Sequence, residues 1–281
     1  MVPLGVLAGL GAAGCWGVGV FCSGLASRRA SVLTTIIVGD LTGTLVALVL
    51  ALVTSEGFPG PAGLAWAAFA GLFGLGGTVA FLSAIRVNPI GLITPVATLL
   101  SVAVPVLFDL ASGERLSATE AAGMAAAVVA VVLVSLPAGA ASLDRRTLAL
   151  ALVTGVTWGG FYIAMDMAAA SGTQTWWPIA VYRGTATVAV VAVAIAVSRL
   201  RLVRREASPL MVGAGGIDVV GTALYMLSSA RSSLGLAAVT SAMYPAIAAL
   251  LARFFLKERL ARVHVVGIAV AIAGIVLMAV P

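Results

Sequence analysis

Charge is scarce in this chain of 281 residues: ten acidic and sixteen basic side chains make up 9% of it, against about 25% in an average soluble protein. So few charges cannot furnish a water-exposed surface at this length, which excludes an ordinary soluble domain. Histidine occurs once, at His264, and cysteine twice, at Cys15 and Cys22. A lone histidine leaves no His-dependent triad and no His-rich metal site. Two cysteines at seven-residue spacing on one helix face are too far apart for a helix-local disulfide and too few for a metal cage. No metal, no cofactor and no enzymatic activity are therefore expected. Gly39 and Asp40 make half of an intramembrane aspartyl protease motif, but Ile37 stands where its first glycine belongs and no second Asp motif follows. Lysine is nearly absent too, Lys257 being the one non-arginine among the sixteen basic residues. The arginines are scattered among apolar runs, so the net charge of +6 reads as membrane topology and not as a nucleic-acid surface.

What is present is hydrocarbon. The chain is 62% hydrophobic with a mean hydropathy of +1.17, which excludes disorder. A membrane-crossing helix needs about 20 mostly apolar residues, and ten such runs occur, near 3–26, 31–54, 61–85, 89–111, 117–137, 146–170, 175–198, 208–230, 234–256 and 260–280. They are continuous, not alternating, and too long for membrane strands of about 10 residues, so helices are expected and not a barrel. The first run lacks a basic leader and a polar cleavage zone and reads as a span, not a cleaved signal.

Ten spans place the loops after spans 1, 3, 5, 7 and 9 on one side. Those loops and their flanks hold thirteen basic residues: Arg28, Arg29, Arg86, Arg145, Arg146, Arg199, Arg201, Arg204, Arg205, Arg253, Lys257, Arg259 and Arg262. The opposite side holds Arg115 and Arg231, and Arg183 lies within span 7. Because cytoplasmic loops carry the Lys/Arg excess, the expectation is a multi-pass protein of the cell inner (plasma) membrane with both termini non-cytoplasmic.

The two halves match. At an offset of 144, Gly77 and Thr78 meet Gly221 and Thr222, Gly91 meets Gly235, Glu114, Arg115 and Leu116 meet Glu258, Arg259 and Leu260, and Gly123 meets Gly267. Trp16 and Gly17 match Trp158 and Gly159 at 142, while Thr42 and Thr44 match Thr185 and Thr187 at 143. The reading is two five-span units, 1–141 and 142–281. Since five is odd, the second enters the membrane in the opposite sense, a plan that recurs in secondary transporters with a site at the midplane. The fold class expected is thus an all-α integral membrane protein, ten transmembrane helices formed by two inverted five-helix repeats.

The motifs carry a family resemblance. Residues 236–245 (LAAVTSAMYP), followed by 256–260 (LKERL), Gly267, Ala273 and Gly274, resemble the signature of EamA-type transporters of the drug/metabolite transporter superfamily. Leu92, the 113–116 turn (GERL) and Gly123 resemble the same pattern in the first half, as does the Trp-Gly pair in spans 1 and 6. The resemblance implies a ten-helix basket, an exporter or metabolite permease working by alternating access, and no nucleotide hydrolysis. Two positions depart from the pattern. Arg183 matches an arginine the family often has early in the second span of a unit, but span 2 has Asp40 there. Pro245 matches the family's proline, but the first unit has Ser101 there, with Pro95 and Pro105 nearby.

An ionised side chain at a helix centre costs roughly 2.5–3.5 kcal/mol on the insertion scale, so each deep charge needs a partner or a cavity. Three lie deep: Asp40, Arg183 and Asp218. Asp40 and Arg183 occupy aligned positions and can meet if they lie near the axis relating the units, as a pair that lines the cavity or as a purely structural one. Asp218 is a candidate proton carrier or partner for a substrate amine, the plainer reading being a neutral structural Asp; Asp166, nearer the outer end of span 6, reads as solvated. Trp16, Trp158, Phe81, Tyr162, Tyr182, Tyr225 and Tyr244 supply the aromatic wall an organic-solute pocket requires, or else pack helices. Trp66, Trp176 and Trp177 sit near span ends as interfacial anchors. Thr98, with Thr94, Ser101, Thr240 and Ser241, lines spans 4 and 9 or bonds its own backbone. Pro95, Pro105 and Pro245 each remove a helical hydrogen bond and mark spans 4 and 9 as kinked, moving or substrate-facing. Spans 5 and 10, nearly devoid of polar side chains, are expected to face lipid or a partner.

The function expected is carriage of a small-molecule substrate through the lipid bilayer. Amino acids or related zwitterions come first, export is the expected direction, and proton coupling is an open alternative to facilitated flux. The alternative is export of drugs or cations by the same fold; nucleic acid is not expected as a partner, and no sequence feature fixes an oligomeric state. A reporter fused after Pro281 is expected to read as non-cytoplasmic; a cytoplasmic signal reverses the assigned topology.

Overall fold

A computed structural model of the chain describes residues 2–27, 30–85, 90–113, 117–135, 145–172, 174–196, 208–255 and 262–279. Among these every regular element is an α-helix: α1 (Val2–Ser27), α2 (Val32–Val53), α3 (Pro61–Ile85), α4 (Ile90–Ala111), α5 (Ala118–Ser135), α6 (Arg145–Ala170), α7 (Trp176–Ala196), α8 (Pro209–Ser229), α9 (Leu234–Ser241), α10 (Tyr244–Phe255) and α11 (Arg262–Ala279). Six of them, α1, α2, α3, α6, α7 and α8, are long and apolar enough to cross a membrane, and the remaining runs form shorter apolar helices. Residues 114–116 and 257–260 of the GERL and KERL turns, with Arg28, Arg29, Arg86, Arg199, Arg201, Arg204 and Arg205, lie outside the described residues.

Local chemistry sets the helix starts. Ser31 caps α2 by accepting from the Thr34 N–H at 3.1 Å, and Ser233 caps α9 by accepting from Leu236 at 3.2 Å. Ser117 and Glu120 form a reciprocal capping box on α5, with Ser117 N–H donating to Glu120 at 2.9 Å and Glu120 N–H to the Ser117 hydroxyl at 3.2 Å. Pro209 opens α8 where its missing N–H costs nothing.

The ninth span differs from expectation. The run 234–256 is not one helix but two, α9 and α10, interrupted at Ala242 and Met243. Pro245 sits in the first turn of α10; without an N–H it cannot bond the Ser241 carbonyl, and its ring crowds that carbonyl. The equivalent place in the first unit is Ser101, which keeps its N–H, and α4 runs unbroken from Ile90 to Ala111 although it contains Pro95 and Pro105.

The extensive interfaces obey one exchange rule, α1 with α6, α2 with α7, α3 with α8, α4 with the α9 and α10 pair, and α5 with α11. Packing of α1 on α8 is mirrored by α6 on α3, that of α3 on α7 by α8 on α2, and α4 on α6 by α1 against α9 and α10. Three pairs, α2 with α7, α4 with α9 and α5 with α11, are their own mirror images. Small residues make these approaches. Gly71 of α3 lies against the Tyr182 carbonyl of α7, and Gly215 of α8, its equivalent, lies against the Gly39 carbonyl of α2, where any side chain would push the helices apart. The interior is rich in alanine, including Ala12, Ala47, Ala70 and Ala237, while Val53, Val188 and Phe254 turn outward at 76%, 71% and 76% exposure, as suits a hydrocarbon surround. The expectation for spans 5 and 10 takes a definite form: α5 and α11 pack on each other, with Gly274 against Gly123, and present Val129 and Ile272 outward.

One clamp escaped the sequence reading. In the turn after α2, the Glu56 carboxylate accepts from the N–H groups of Thr175, Trp176 and Trp177 at 2.6, 2.8 and 2.9 Å. The Trp177 indole donates back to the Glu56 carbonyl at 2.9 Å and packs edge-on against Phe58 at 4.9 Å. A carboxylate at the positive end of a helix is favourable, and this one ties α7 to the α2–α3 turn. Glu56→Ala is expected to lower stability by about 1–2 kcal/mol, read as a lower melting temperature in detergent, with Glu56→Gln intermediate.

Candidate functional site

The site begins on the inward faces of α2, α7 and α8. On α2, Ile37, Gly43, Ala47 and Ala51 are buried and surround Asp40; on α7, Ile179, Ala180, Ala186 and Val190 do the same for Arg183; on α8, Ala214, Gly215, Gly221 and Thr222 flank Asp218. Helical periodicity of 3.6 thus points all three charges into the bundle.

There they meet. Arg183 Nη1 donates to Asp40 Oδ1 at 2.5 Å, and its Nη2 pairs with Asp218 Oδ2. Its guanidinium carbon stands 4.8 Å from the centre of the neighbouring Tyr182 ring, a cation–π contact. Gly43 of α2 leaves room for the Arg183 shaft, since a Cβ there would fall 3.2 Å from both Cδ and Nε. Four residues from the ion pair, the hydroxyls of Thr44 and Thr187 lie 3.3 Å apart. Symmetry-equivalent residues touch only where the relating axis passes. The 40/183 and 44/187 contacts therefore put that axis between α2 and α7.

Beyond Tyr182 the charge gives way to rings. Phe161 lies 5.1 Å from Tyr182 and 5.6 Å from Tyr162, Tyr162 lies 5.0 Å from Tyr225, and Trp16 touches both tyrosines at 6.1 and 6.0 Å. The Tyr225 hydroxyl, fully buried, donates to the Tyr162 carbonyl at 3.0 Å. Trp16 and Trp158 occupy mirrored seats: Trp16 Cδ1 would meet a Cβ at Gly221 at 2.7 Å, and Trp158 Nε1 one at Gly77 at 2.6 Å.

The expected residues therefore fall into groups. Asp40, Arg183 and Asp218 form one ion cluster, adjoined by Trp16, Tyr162 and Tyr225. Phe81 and Trp158 pair with each other at 5.2 Å, and Phe81 packs in a separate cluster with Ala84 and Ala151. Tyr244 of α10 reaches Thr98 of α4. Ser101 and Thr240 donate to carbonyls of their own helices, those of Thr98 and Leu236, at 2.9 and 2.8 Å. The side chains of Thr94 and Pro95 lie outside the described residues. Asp166 is not simply solvated: it is partly buried and hydrogen-bonded to Ser229 of α8. Tyr182, one of the expected phenols, links the ions to the rings together with Phe161, which went unnoticed in the sequence. A crevice between α4, α5 and α9, lined by Thr98, Val102, Ala127, Val131 and Val239, holds about 10 Å³, room for one water and far below the 300–1,000 Å³ of an organic-solute pocket.

The model of the EamA-like transporter family matches the chain twice, over residues 3–136 and 145–280. The chain belongs to the EamA-like transporter family. This places it in the drug/metabolite transporter superfamily and makes it a multi-pass membrane protein, as the motifs implied. A solved crystal structure aligns with it at a TM-score of 0.77 and 19% identity, covering 98% of each chain, which shows a shared fold. No curated protein matches the sequence. Within this EamA-like chain the family match spans both repeats, so Arg183 on the second and Asp40 on the first mark equivalent places in two copies of one unit.

Breaking a buried charge pair by removing one partner costs about 3–5 kcal/mol. Arg183→Ala, which strands two carboxylates, is expected to abolish the monodisperse peak of purified protein in size-exclusion chromatography. Arg183→Ala combined with Asp40→Asn and Asp218→Asn, which leaves no stranded charge, is expected to recover part of it, and failure of that rescue removes the stranded carboxylates as the cause of the loss.

Proposed function

We propose that this EamA-like protein is a secondary transporter that moves small organic solutes outward by alternating access, its two five-helix repeats inserted in opposite senses and both termini on the non-cytoplasmic side. The units 1–141 and 142–281 pack mainly across each other, α1 on α8 and α6 on α3, so the bodies that rock are two helix groups, each drawn from both repeats. Amino acids and related zwitterions are the leading substrate class. The observation that carries the reading is a buried guanidinium and two carboxylates at the axis between the repeats, beside a wall of aromatic rings. A carrier that exposes one site to two sides in turn has its site on that axis, and midplane charges in a membrane are conserved for function more often than for stability.

The rings and ions are packed against one another, so a solute enters only as helices separate. That requirement fits rocking of the helix groups and not a standing pore. The Pro245 break between α9 and α10 gives that span the joint the movement needs. The residues proposed to face the solute are Trp16, Asp40, Thr98, Tyr162, Arg183, Asp218, Tyr225 and Tyr244, with Phe81 and Trp158 lining the mirror-equivalent wall.

One observation favours the second reading, export of cationic compounds: two carboxylates face a single guanidinium, an excess of acid at the site. A solute screen in proteoliposomes, run with and without a pH gradient, separates these readings. Saturable flux of zwitterions supports the first and flux confined to cations the second. Acceleration by an opposing proton gradient supports coupling, and no flux of any solute overturns transport.

A further inference from the structure

The three charges at the axis are not equivalent, and the difference assigns them different tasks. Asp40 and Arg183 are 14% and 8% exposed in their side chains, while Asp218 is 28% exposed. Yet Asp218 lies at the centre of the buried face of α8, with Met211, Ala214, Gly215, Gly221, Thr222 and Tyr225 all buried around it. Its accessible surface therefore opens into the bundle between helices, not toward lipid.

The repeat relation sharpens the contrast. Asp40 and Arg183 are equivalent positions that meet at the axis. At the offset of 144, Asp218 corresponds to Gly74 of α3, where a Cβ would lie in ordinary contact with the Tyr182 and Phe161 rings at 3.6 and 3.7 Å. The second repeat thus places a carboxylate where the first has a bare glycine against rings. Arg183 already has Asp40 on Nη1 and the Tyr182 face beneath it. Arg183 keeps a counter-ion in Asp40 when Asp218 is released, whereas Asp218 has no other cation beside it among the described residues. Nor is the guanidinium saturated: its Nε is buried without a hydrogen-bond partner, a donor that an entering carboxylate can take.

We propose that Asp218 is the recognition group for the cationic end of the solute and that Arg183 occupies it as an internal stand-in until a solute arrives. An ammonium entering between α1, α7 and α8 takes the Arg183 place on Asp218. Arg183 keeps Asp40 and turns its released Nη2 toward the gap that the parting helices open or, for a zwitterion, toward the solute carboxylate. The Trp16 indole, seated on Gly221 less than one turn from Asp218, supplies an aromatic face beside the ammonium. The substrate class is accordingly a primary amine or zwitterion with an apolar body. Solutes carrying only a negative charge lack the group that displaces Arg183.

This inference rests on the transporter reading, and its test separates the two. The full chain in liposomes is assayed with three radiolabelled probes on one hydrocarbon frame: phenethylamine, phenylalanine and 3-phenylpropionate. Wild type is expected to move the first two and not the third. Asp218→Asn is expected to raise KM for phenethylamine at least tenfold with kcat changed less than about twofold, and Asp218→Glu to recover most of the loss, both eluting as wild type in size-exclusion chromatography. Asp40→Asn is expected to depress folded yield and the flux of every probe together. Equal loss for all probes in Asp218→Asn, an unchanged KM for phenethylamine, or a wild type that moves 3-phenylpropionate as well as the amine overturns the assignment. So does movement of other solutes but none of the three probes. A wild type that moves no solute at all, including those of the wider screen, ends the transporter reading itself.

Discussion

A guanidinium cannot be left alone in hydrocarbon, and the arrangement of this protein's centre follows from that constraint. Arg183 is buried at membrane depth, where an unpaired charge would outweigh the gain from several buried aliphatic side chains. Its partners come from two other helices, Asp40 on α2 and Asp218 on α8. Because all three residues lie at the centres of inward helix faces, satisfying the charge fixes the rotation of α2, α7 and α8 about their own axes. Gly43 and Gly215 then allow those helices to approach as closely as the ion cluster demands.

Outside that cluster the bundle is held mainly by shape. Lipid tails are as apolar as leucine, so burial of hydrophobic side chains gives little net attraction between helices, and close contact of small residues takes its place. Alanine and glycine line the interfaces accordingly, and the two tryptophans of the Trp-Gly pairs lie across glycines of the facing helix in mirrored positions. The exchange rule among interfaces means each such fit is used twice, once in each repeat.

Much of this was legible in the sequence, and the reason is chemical. Apolar runs of span length are enforced by the bilayer, and the register of 143 that aligned Thr44 with Thr187 also aligned Asp40 with Arg183, which the structure brings into contact. A symmetry argument sufficed there because equivalent residues meet at the axis. Asp218 reaching the same guanidinium has no equivalent partner to betray it, and its convergence depends on how α8 crosses α2. The Glu56 clamp was hidden for another reason: three backbone N–H groups have no sequence signature, so a carboxylate in a turn gives no sign of the helix it will cap. The Pro245 break was half legible. The proline was marked as a kink, but that it would divide the span into α9 and α10 depended on the Ala242 and Met243 turn forming on its N-terminal side.

That break carries a consequence for a protein made of two like halves. At the place where the second repeat is jointed, the first has α4 as a continuous rod. A jointed segment bends with the loss of few hydrogen bonds, while a rod must tilt as a whole and disturb every contact along its length. The halves match in sequence, but their compliance differs: bending on one side of the axis is local and on the other is global. Duplication gave the two halves one plan, and a single imino acid made them mechanically unlike.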